Sequence, residues 1–300
     1  MNGTAIAIRG LTKKFGSRTA VDSLSFDVPA GSVCGFLGRN GAGKSTAIRM
    51  LMNLATPTAG SARLLGLDSH RDHPALMQRI GYVAESPTLY DWMKVREIVR
   101  FTGRFYARWN NGAVDALLHR FGVDPDQKVR HLSRGTYAQV ALALAMGNDP
   151  ELLILDEPAT GLDVLVRRDF LESIIQLIQQ EGRTVLFSSH MVHEVERVAD
   201  RVVMIDQGRL VISAPVDELK EEMRRVVVRR RGAPHELIGV PGVLSTFADG
   251  ADLVVTVRDR DGRARRAIEQ SGDEVVEVMG LSLEEIFVDL VSAGRPEVAA

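Results

Sequence analysis

The stretch GRNGAGKS at residues 38–45 constrains this chain more than any other feature. It fits the pattern G-x-x-x-x-G-K-[ST], follows the apolar run Val33–Leu37, and opens a segment in which Ile48, Leu51 and Met52 recur at helical spacing. A glycine-rich loop between a buried strand and a helix leaves backbone N–H groups free to curl around phosphates. The sequence therefore predicts a phosphate-binding loop in an α/β fold.

Each part of this loop has an expected contact with a nucleotide. Its glycines let the backbone face the phosphates, Lys44 reaches the β- and γ-phosphates, and Ser45 offers a hydroxyl to Mg²⁺. A chance match in a chain of ordinary composition is on the order of one in a hundred, and the preceding strand lowers that figure. The expected nucleotide contacts are Gly38, Asn40, Gly41, Ala42, Gly43, Lys44, Ser45 and Thr46.

Two adjacent acids, Asp156 and Glu157, follow the apolar run Leu152–Leu155. Side chains alternate in direction at the end of a strand, so one acid can face a metal while the next faces a water molecule. We expect Asp156 to be the partner of Mg²⁺ through a water molecule, and Glu157 to orient or deprotonate the attacking water. An acid pair in this position is by itself more often a solvated loop, but the phosphate loop favours the functional interpretation.

A histidine, His190, ends a second apolar run, Thr184–Ser189. It is expected to project from the edge of the sheet at which ligands of α/β folds bind. A contact with the γ-phosphate is the functional interpretation. The other six histidines lack this placement and are interpreted as surface or packing residues.

The order of apolar runs predicts two domains, with a change in pattern near Lys220. Residues 1–220 alternate strands and helices around a largely parallel sheet, with antiparallel strands beside it and a helical insertion at about residues 74–146. Residues 221–300 form a small strand-rich α+β domain with a hairpin at Asp249-Gly250. Its last helix is expected to begin with a capping box of Ser282 and Glu285.

Composition excludes several classes of protein. The longest apolar run, residues 140–146, is far shorter than the ~20 residues of a membrane-spanning helix. Thirty-seven basic residues against thirty-nine acidic ones give a net charge of -2, so no nucleic-acid partner is expected. The chain has one cysteine, Cys34, and lacks an apolar stretch of signal-peptide length near its start. A reduced, cytoplasmic compartment is therefore expected.

Together these motifs resemble the ATP-binding subunit of ABC transporters, over roughly residues 4–220. The resemblance depends on an ordered set, which is far more specific than any single motif. In chain order the set is Gly38 to Thr46, Leu132-Ser133-Arg134-Gly135, residues 152–158, Gly161-Leu162-Asp163 and His190.

The resemblance implies further contacts. Phe15 would stack on adenine, although an ordinary core phenylalanine remains an alternative. Ser133 and Gly135 would cap the nucleotide held by a partner subunit, and Ser133 is also a good N-cap for the helix that follows. Asp163 would communicate across the dimer.

The sequence departs from the family pattern at two places. It has Arg134-Gly135-Thr136 where the family usually has Gly-Gly-Gln, which would alter contacts to the partner's γ-phosphate. Glu85 stands where the family usually has a glutamine facing Mg²⁺ and the membrane subunit. A carboxylate can ligate the metal, but it adds negative charge beside the triphosphate. Slower turnover, or stronger dependence on a partner, is the expected consequence.

The loop after Glu85 contains Tyr90 and Trp92, which fit an interface with a membrane subunit. The alternative is that these rings pack into the helical insertion. In the second domain, the ending LSLEEIF resembles subunits that serve small-molecule exporters. The basic run there, Arg224, Arg225, Arg229, Arg230 and Arg231, is interpreted as a solvated face rather than a lipid contact.

The resemblance implies an enzyme that binds ATP and Mg²⁺, dimerises on ATP, and powers transport, most simply export, through a separate membrane permease at the inner face of the cell membrane. One alternative is a mechanical ATPase that acts on a macromolecular complex. The single nucleotide-binding unit and the near-neutral charge argue against it. A regulatory module that binds ATP without hydrolysis is another, and the intact Lys44, Asp156, Glu157 and His190 argue against that.

Overall fold

The structure is a computed structural model that describes residues 3–163, 166–167, 170–171, 182–229, 237, 240–250, 252–270 and 273–293. Its backbone divides into two compact units, Met1–Ser213 and Ala214–Ala300. The boundary predicted at residue 220 falls inside the helix Val216–Glu222, which belongs to the second unit. The composition changes only after this helix, so the pattern alone places the boundary too late. Ile174, Ile175 and Ile178, whose spacing predicts a helix after the run Leu152–Leu155, lie outside the described residues, as do Arg230, Arg231 and His235.

Strands and helices alternate along the first unit. In chain order its elements are β1 (Thr4–Phe15), β2 (Arg18–Pro29), β3 (Val33–Leu37), α1 (Lys44–Leu51), β4 (Ala59–Leu64), β5 (Leu67–Asp68), α2 (His73–Met77), β6 (Ile80–Val83), α3 (Val95–Gly103), α4 (Asn111–Arg120), α5 (Arg134–Met146), β7 (Leu152–Leu155), β8 (Thr184–Ser189), α6 (Val192–Val198), β9 (Arg201–Asp206) and β10 (Arg209–Pro215). None of the described helices has both the length and the apolar character needed to span a membrane.

A six-stranded sheet forms the centre of the first unit, in the order β10-β9-β3-β8-β7-β6. The strands from β9 to β6 pair in parallel. Every residue of β3, β7 and β8 is buried, as is typical of parallel strands covered on both faces. The carboxyl ends of these three strands meet at one edge of the sheet, which is where ligands of α/β folds bind.

Antiparallel strands flank this sheet, as predicted. They form a second sheet in the order β2-β1-β4-β5, and β1 pairs along β2. The sequence pattern predicts strands only at Ala5 to Ile8 and Leu24 to Val28, so β1 and β2 extend well beyond the prediction, and β4 and β5 were not predicted. Alternate residues of β1 and β2, such as Ile6, Ile8, Leu24 and Phe26, pack into one core with α1.

The prediction of a helical insertion at residues 74–146 is wrong near its start. Residues Ile80–Val83 form the strand β6, which pairs in parallel with β7 and is part of the central sheet. A Cβ atom on Gly81 would lie 2.3 Å from the Ala145 carbonyl oxygen, so α5 packs directly against this strand. Four residues are too few to show a strand period, and helical spacing dominates the residues that follow.

The second unit contains a four-stranded antiparallel sheet, in the order β12-β13-β11-β14. Its elements are α7 (Val216–Glu222), β11 (Met223–Arg229), β12 (Val243–Asp249), β13 (Asp252–Arg258), α8 (Arg263–Gln270), β14 (Glu274–Gly280) and α9 (Leu283–Ala293). The predicted hairpin is confirmed as β12 and β13. The predicted capping box is also confirmed, because Ser282 N donates to Glu285 Oε2 at 2.9 Å and Glu285 N donates to Ser282 Oγ at 3.3 Å.

The described arginines of the basic run have partners within the second unit. Arg225 pairs with Glu285 and Asp289, and Arg229 pairs with Asp252. Arg224 donates to backbone carbonyls. Arg229 is half-exposed, as a solvated face predicts, but the side chain of Arg225 is only 21% exposed, so the interpretation as a solvated face is wrong at Arg225.

Candidate nucleotide site

The glycine-rich loop takes a backbone conformation that residues other than glycine rarely adopt. Gly43 caps α1 with φ of 107°, and a Cβ atom on it would lie 2.5 Å from the Ala20 carbonyl oxygen. Lys44 and Ser45 follow as the first residues of α1. The free N–H groups of the first turn therefore face the loop, which makes the start of this helix a site for phosphate.

Lys44 is buried at the base of the loop, with only 5% of its surface exposed. Its Nζ atom donates to the Gly38 carbonyl oxygen at 2.7 Å and pairs with Glu157 Oε1 at 3.1 Å. The sequence predicts both residues at the site, but not this contact between them. The ammonium is thus held by an internal carboxylate at the point where an incoming phosphate would require it.

Three side chains that carry oxygen atoms converge beside the loop. Ser45 Oγ donates to Asp156 Oδ1 at 3.1 Å and lies 3.5 Å from Glu85 Oε2. Among the described residues no cluster of three or more His, Cys, Asp or Glu side chains could hold a metal ion. A hydroxyl with one or two carboxylates nevertheless fits Mg²⁺, which prefers hard oxygen ligands and takes its others from water and nucleotide phosphates.

The Asp156 carboxylate is held from a second side by a residue that was not predicted. Ser188 Oγ donates to Asp156 Oδ1 at 2.7 Å and accepts from Glu157 N at 2.8 Å. Burial raises the pKa of Asp156, and the charges of Glu85 and Glu157 act in the same direction, while its two serine donors lower it. A cation at this position would offset the desolvation and repulsion of these acids.

Glu157 and His190 are in direct contact. His190 Nδ1 lies 2.8 Å from Glu157 Oε2, to which Thr160 Oγ1 also donates at 3.1 Å. Burial alone would raise the pKa of Glu157, but the hydrogen bond with His190 and the charge of Lys44 together lower it below its usual value. The side chain is therefore an ionised acceptor, aimed at the same space as the ammonium of Lys44.

The backbone at Glu157 is strained. Its φ is 47°, in the left-handed region that costs a residue other than glycine on the order of 1–3 kcal/mol. This turn directs Glu157 toward Lys44 while the preceding Asp156 contacts Ser45. Such strain is concentrated at functional sites, where the surrounding structure holds it.

One cavity of about 620 Å³ brings most of the predicted residues together. Phe15 lines it and is 55% exposed, so it is not an ordinary core residue. Gly38 and Asp156 do not line the cavity themselves. Gly38 contacts Lys44 and Asp156 contacts Ser45, and both of those residues line it. The predicted residues that line the cavity directly are Phe15, Asn40, Gly41, Ala42, Gly43, Lys44, Ser45, Thr46, Glu85, Glu157 and His190.

Besides Gly38 and Asp156, three predicted residues do not line this cavity: Ser133, Gly135 and Asp163. Ser133 caps α5 by accepting from Thr136 N at 3.1 Å, which confirms the expected cap, and Gly135 follows it in the first turn. Asp163 accepts from Val166 N at 3.1 Å. The assignment of Ser133, Gly135 and Asp163 to the nucleotide of a partner stays a prediction.

Arg18, Ala20 and Arg39 line the cavity but were not predicted from the sequence. Ser188 and Thr160, which contact the two predicted acids, were not predicted either. Both lie next to predicted motifs, and Ser188 is the fifth residue of β8. In the parallel register Leu155, the last residue of β7, pairs with Phe187, which brings the next residues along the chain, Asp156 and Ser188, side by side. Knowledge that β7 and β8 are neighbours would have identified Ser188.

Comparisons with known proteins give a consistent result. A family model described as ABC transporter matches residues 21–160. The chain is 31% identical to the bacitracin transport ATP-binding protein BcrA of Bacillus licheniformis, over 97% of this chain and 98% of that protein. It is 35% identical to the daunorubicin resistance ATP-binding protein DrrA3 of Streptomyces coeruleorubidus, over 98% of each.

Solved structures share the fold of the first unit. The structure of an ATP-binding subunit of an ABC transporter superposes with a TM-score of 0.65 and 26% identity, over 72% of this chain and 92% of that one. A dimeric ATP-binding cassette in a post-hydrolysis state, bound to ADP and Pi, superposes with a TM-score of 0.63 and 20% identity, over 70% and 98%. At 20% identity, the second comparison shows that the two proteins share a fold.

Proposed function

We propose that this chain hydrolyses ATP to drive the export of a small molecule through a separate membrane protein. The chain belongs to the ABC transporter family of ATP-binding proteins. The observation that carries the proposal is the convergence of Lys44, Ser45, Glu157 and His190 on one cavity. The full-length similarity to two transport and resistance proteins supports the export part of the proposal. The cargo would be selected by the membrane protein.

The contact between Lys44 and Glu157 suggests how binding prepares hydrolysis. A triphosphate in the loop competes with Glu157 for the ammonium of Lys44, because both are anions aimed at one cation. Once Lys44 pairs with phosphate, the Glu157 carboxylate is free to accept a hydrogen bond from a water molecule. His190 remains beside Glu157 and limits its orientation. ATP therefore displaces the internal ion pair as it binds.

Mg²⁺ is the metal we propose for this site, held by Ser45 and Asp156 with Glu85 beside them. When bound, it supplies positive charge to the phosphate oxygens and screens the acids from one another. Ser188 fixes Asp156 in the orientation that faces Ser45. The contribution of the chain is thus a preformed set of oxygen ligands.

A second subunit completes the proposed active unit. ATP-binding subunits of this family dimerise, and Ser133 and Arg134 are exposed at the start of α5. Ser133 already accepts from Thr136 N in the first turn, and the positive end of the helix dipole suits a phosphate held by another subunit. In a two-fold dimer each chain would contribute Ser133, Gly135 and Asp163 to the nucleotide of its partner.

An ATPase assay tests the proposed reaction. Phosphate release from ATP is expected to require Mg²⁺ and to stop when the metal is chelated. Isolation of the chain from native membranes, with identification of the proteins that accompany it, tests the membrane partner. Release of phosphate without any membrane partner in the isolate would favour a mechanical ATPase, and ATP binding without release would favour a regulatory module.

The loop after Glu85 is the proposed docking surface for the membrane protein. Tyr90 and Trp92 pack against each other at 4.8 Å, and Tyr90 meets Phe101 of α3 edge-on at 5.3 Å. The rings still remain 43% and 60% exposed, so packing against the insertion covers only part of them. Tyr137 of α5 braces the loop, because its hydroxyl donates to the Pro87 carbonyl at 2.9 Å and accepts from Leu89 N.

Removing either exposed ring is expected to uncouple hydrolysis from docking. Tyr90→Ala and Trp92→Ala should leave the ATPase rate of the isolated chain within about twofold of wild type. Recovery with membranes should fall about tenfold or more, the scale of a lost aromatic anchor. The measurement is co-sedimentation with native membranes beside a phosphate-release assay. Phe247→Ala, which removes an exposed ring in the second unit, is the matched control. Equal recovery of wild type and all folded variants would exclude this loop as the docking surface.

Substituting the unusual carboxylate is expected to change the affinity of the site for ATP. Glu85→Gln removes a negative charge 3.5 Å from Ser45 Oγ, and so reduces repulsion of the triphosphate. Because the side chain is exposed, we expect a modest effect, with ATP bound about two- to fivefold more tightly. Titration with a fluorescent ATP analogue in Mg²⁺ measures it. Weaker binding in the variant would indicate that Glu85 acts mainly as a metal ligand.

A further inference from the structure

A second, smaller cavity of about 110 Å³ adjoins Glu157 and His190. It is also lined by two charged residues that the steps above do not use, Arg167 and Glu194. Their side chains are 20% and 7% exposed, and Arg167 Nε lies 3.5 Å from Glu194 Oε1. Burial of an ion pair adds little stability compared with apolar packing, so its presence beside the site calls for another explanation.

Arg167 joins two segments that are distant in the sequence. Its guanidinium donates to the Leu162 carbonyl oxygen at 2.9 Å and to Met191 Sδ at 2.8 Å. Leu162 belongs to the segment that follows Glu157, while Met191 directly follows His190. One side chain thus connects the segment after the acid to the turn that carries the histidine.

Glu194 holds the same turn from the other side. Its Oε2 atom accepts from Ser189 Oγ at 2.7 Å, and Ser189 Oγ in turn accepts from Met191 N at 3.0 Å. The residues before and after His190 are therefore both fixed by this carboxylate and its serine. This arrangement restricts the backbone on each side of the imidazole.

The two charges depend on each other. Within the described residues, Arg167 Nε and Glu194 Oε1 are buried without a hydrogen-bond partner, and each faces the other across the ion pair. Loss of one charge leaves the other buried and uncompensated. The remaining charge would then draw its segment toward solvent, which would separate the segment after Glu157 from the turn at His190.

We propose that the Arg167–Glu194 pair positions His190 against Glu157 for ATP hydrolysis. Arg167 and Glu194 are positioning residues, since they act through the two segments and not on the nucleotide. The geometry that they maintain is the 2.8 Å contact between His190 Nδ1 and Glu157 Oε2. This inference depends on the proposed function, because it concerns the rate of that reaction.

The test compares kcat and KM for ATP in Glu194→Gln, Arg167→Met and the double variant. Each single variant is expected to lower kcat about tenfold or more, the effect of a small misplacement of reacting groups, with KM within about twofold. The double variant should be no slower than the slower single variant, because either change breaks the same link. Arg167→Lys keeps the charge and should recover part of kcat.

Arg79→Met is the matched control, because it breaks an Arg–Glu pair in the same unit that contacts neither segment. Thermal unfolding and binding of a fluorescent ATP analogue establish that each variant is folded. The positioning role is overturned if both single variants match the control, or if kcat and ATP binding fall in parallel. A wild-type chain that does not hydrolyse ATP would instead overturn the proposed function, which keeps the two failures distinct.

Discussion

Replacing Lys44 by alanine is expected to lower ATP hydrolysis by roughly 10²–10³-fold and to weaken ATP binding. The lysine is the cation at the base of the phosphate loop, and preorganised charges of this kind are often worth that much in rate. Its position is already set in the structure by the Gly38 carbonyl and by Glu157. Alanine removes the cation that a triphosphate would otherwise take from Glu157. Phosphate release and titration with a fluorescent ATP analogue measure the two effects.

The control for this variant is Lys94→Ala. Lys94 forms a more exposed ion pair with Asp126 at 2.9 Å, at the start of α3, and does not line the nucleotide cavity, so its removal should leave the rate unchanged. Lys44→Ala also leaves buried Glu157 without its cation, which can cost on the order of 3–5 kcal/mol. Thermal unfolding must therefore accompany the assay. A folded Lys44→Ala chain that hydrolyses ATP within twofold of wild type would contradict the assignment of Lys44.

The local parts of the site were predictable because each is encoded in a few consecutive residues. A loop such as residues 38–45 needs glycine for its backbone conformation. The apolar residues before Asp156-Glu157 indicate a buried strand, and the two acids mark the point at which that strand leaves the sheet. His190 follows a strand of the same kind. Because parallel strands end at one edge, these three motifs could be placed together before the structure was known.

The parts that were not predictable depend on which strands are neighbours. Ser188 reaches Asp156 only because β7 lies beside β8, and the pair of Lys44 with Glu157 joins residues far apart in the chain. The four-residue strand β6 is too short to show a period, so it was assigned to the helical insertion. Arg167 and Glu194 carry no motif, and their role is visible only from their contacts.

Replacing Glu157 by glutamine is expected to separate binding from hydrolysis. The amide keeps the size of the side chain and can still accept from Thr160, but it cannot take a proton from water. A lost general base lowers rates by roughly 10²–10⁴-fold, so hydrolysis should nearly stop. ATP binding should become tighter, because the variant no longer holds Lys44 in a competing ion pair and carries one negative charge fewer. Phosphate release and equilibrium binding measure these two changes.

A chain that binds ATP without hydrolysing it should accumulate as the dimer. If Ser133 and Gly135 cap the nucleotide of a partner, unhydrolysed ATP is shared between two chains, and light scattering of Glu157→Gln should show a dimer only when ATP is present. Glu151→Gln is the matched control, since Glu151 precedes the opposite end of β7 and pairs with Arg79. A monomer with and without ATP would exclude a shared site, whereas hydrolysis at the wild-type rate would exclude Glu157 as the base. Loss of ATP binding in the folded variant would instead mean that the ion pair with Lys44 organises the loop for nucleotide rather than competing with it.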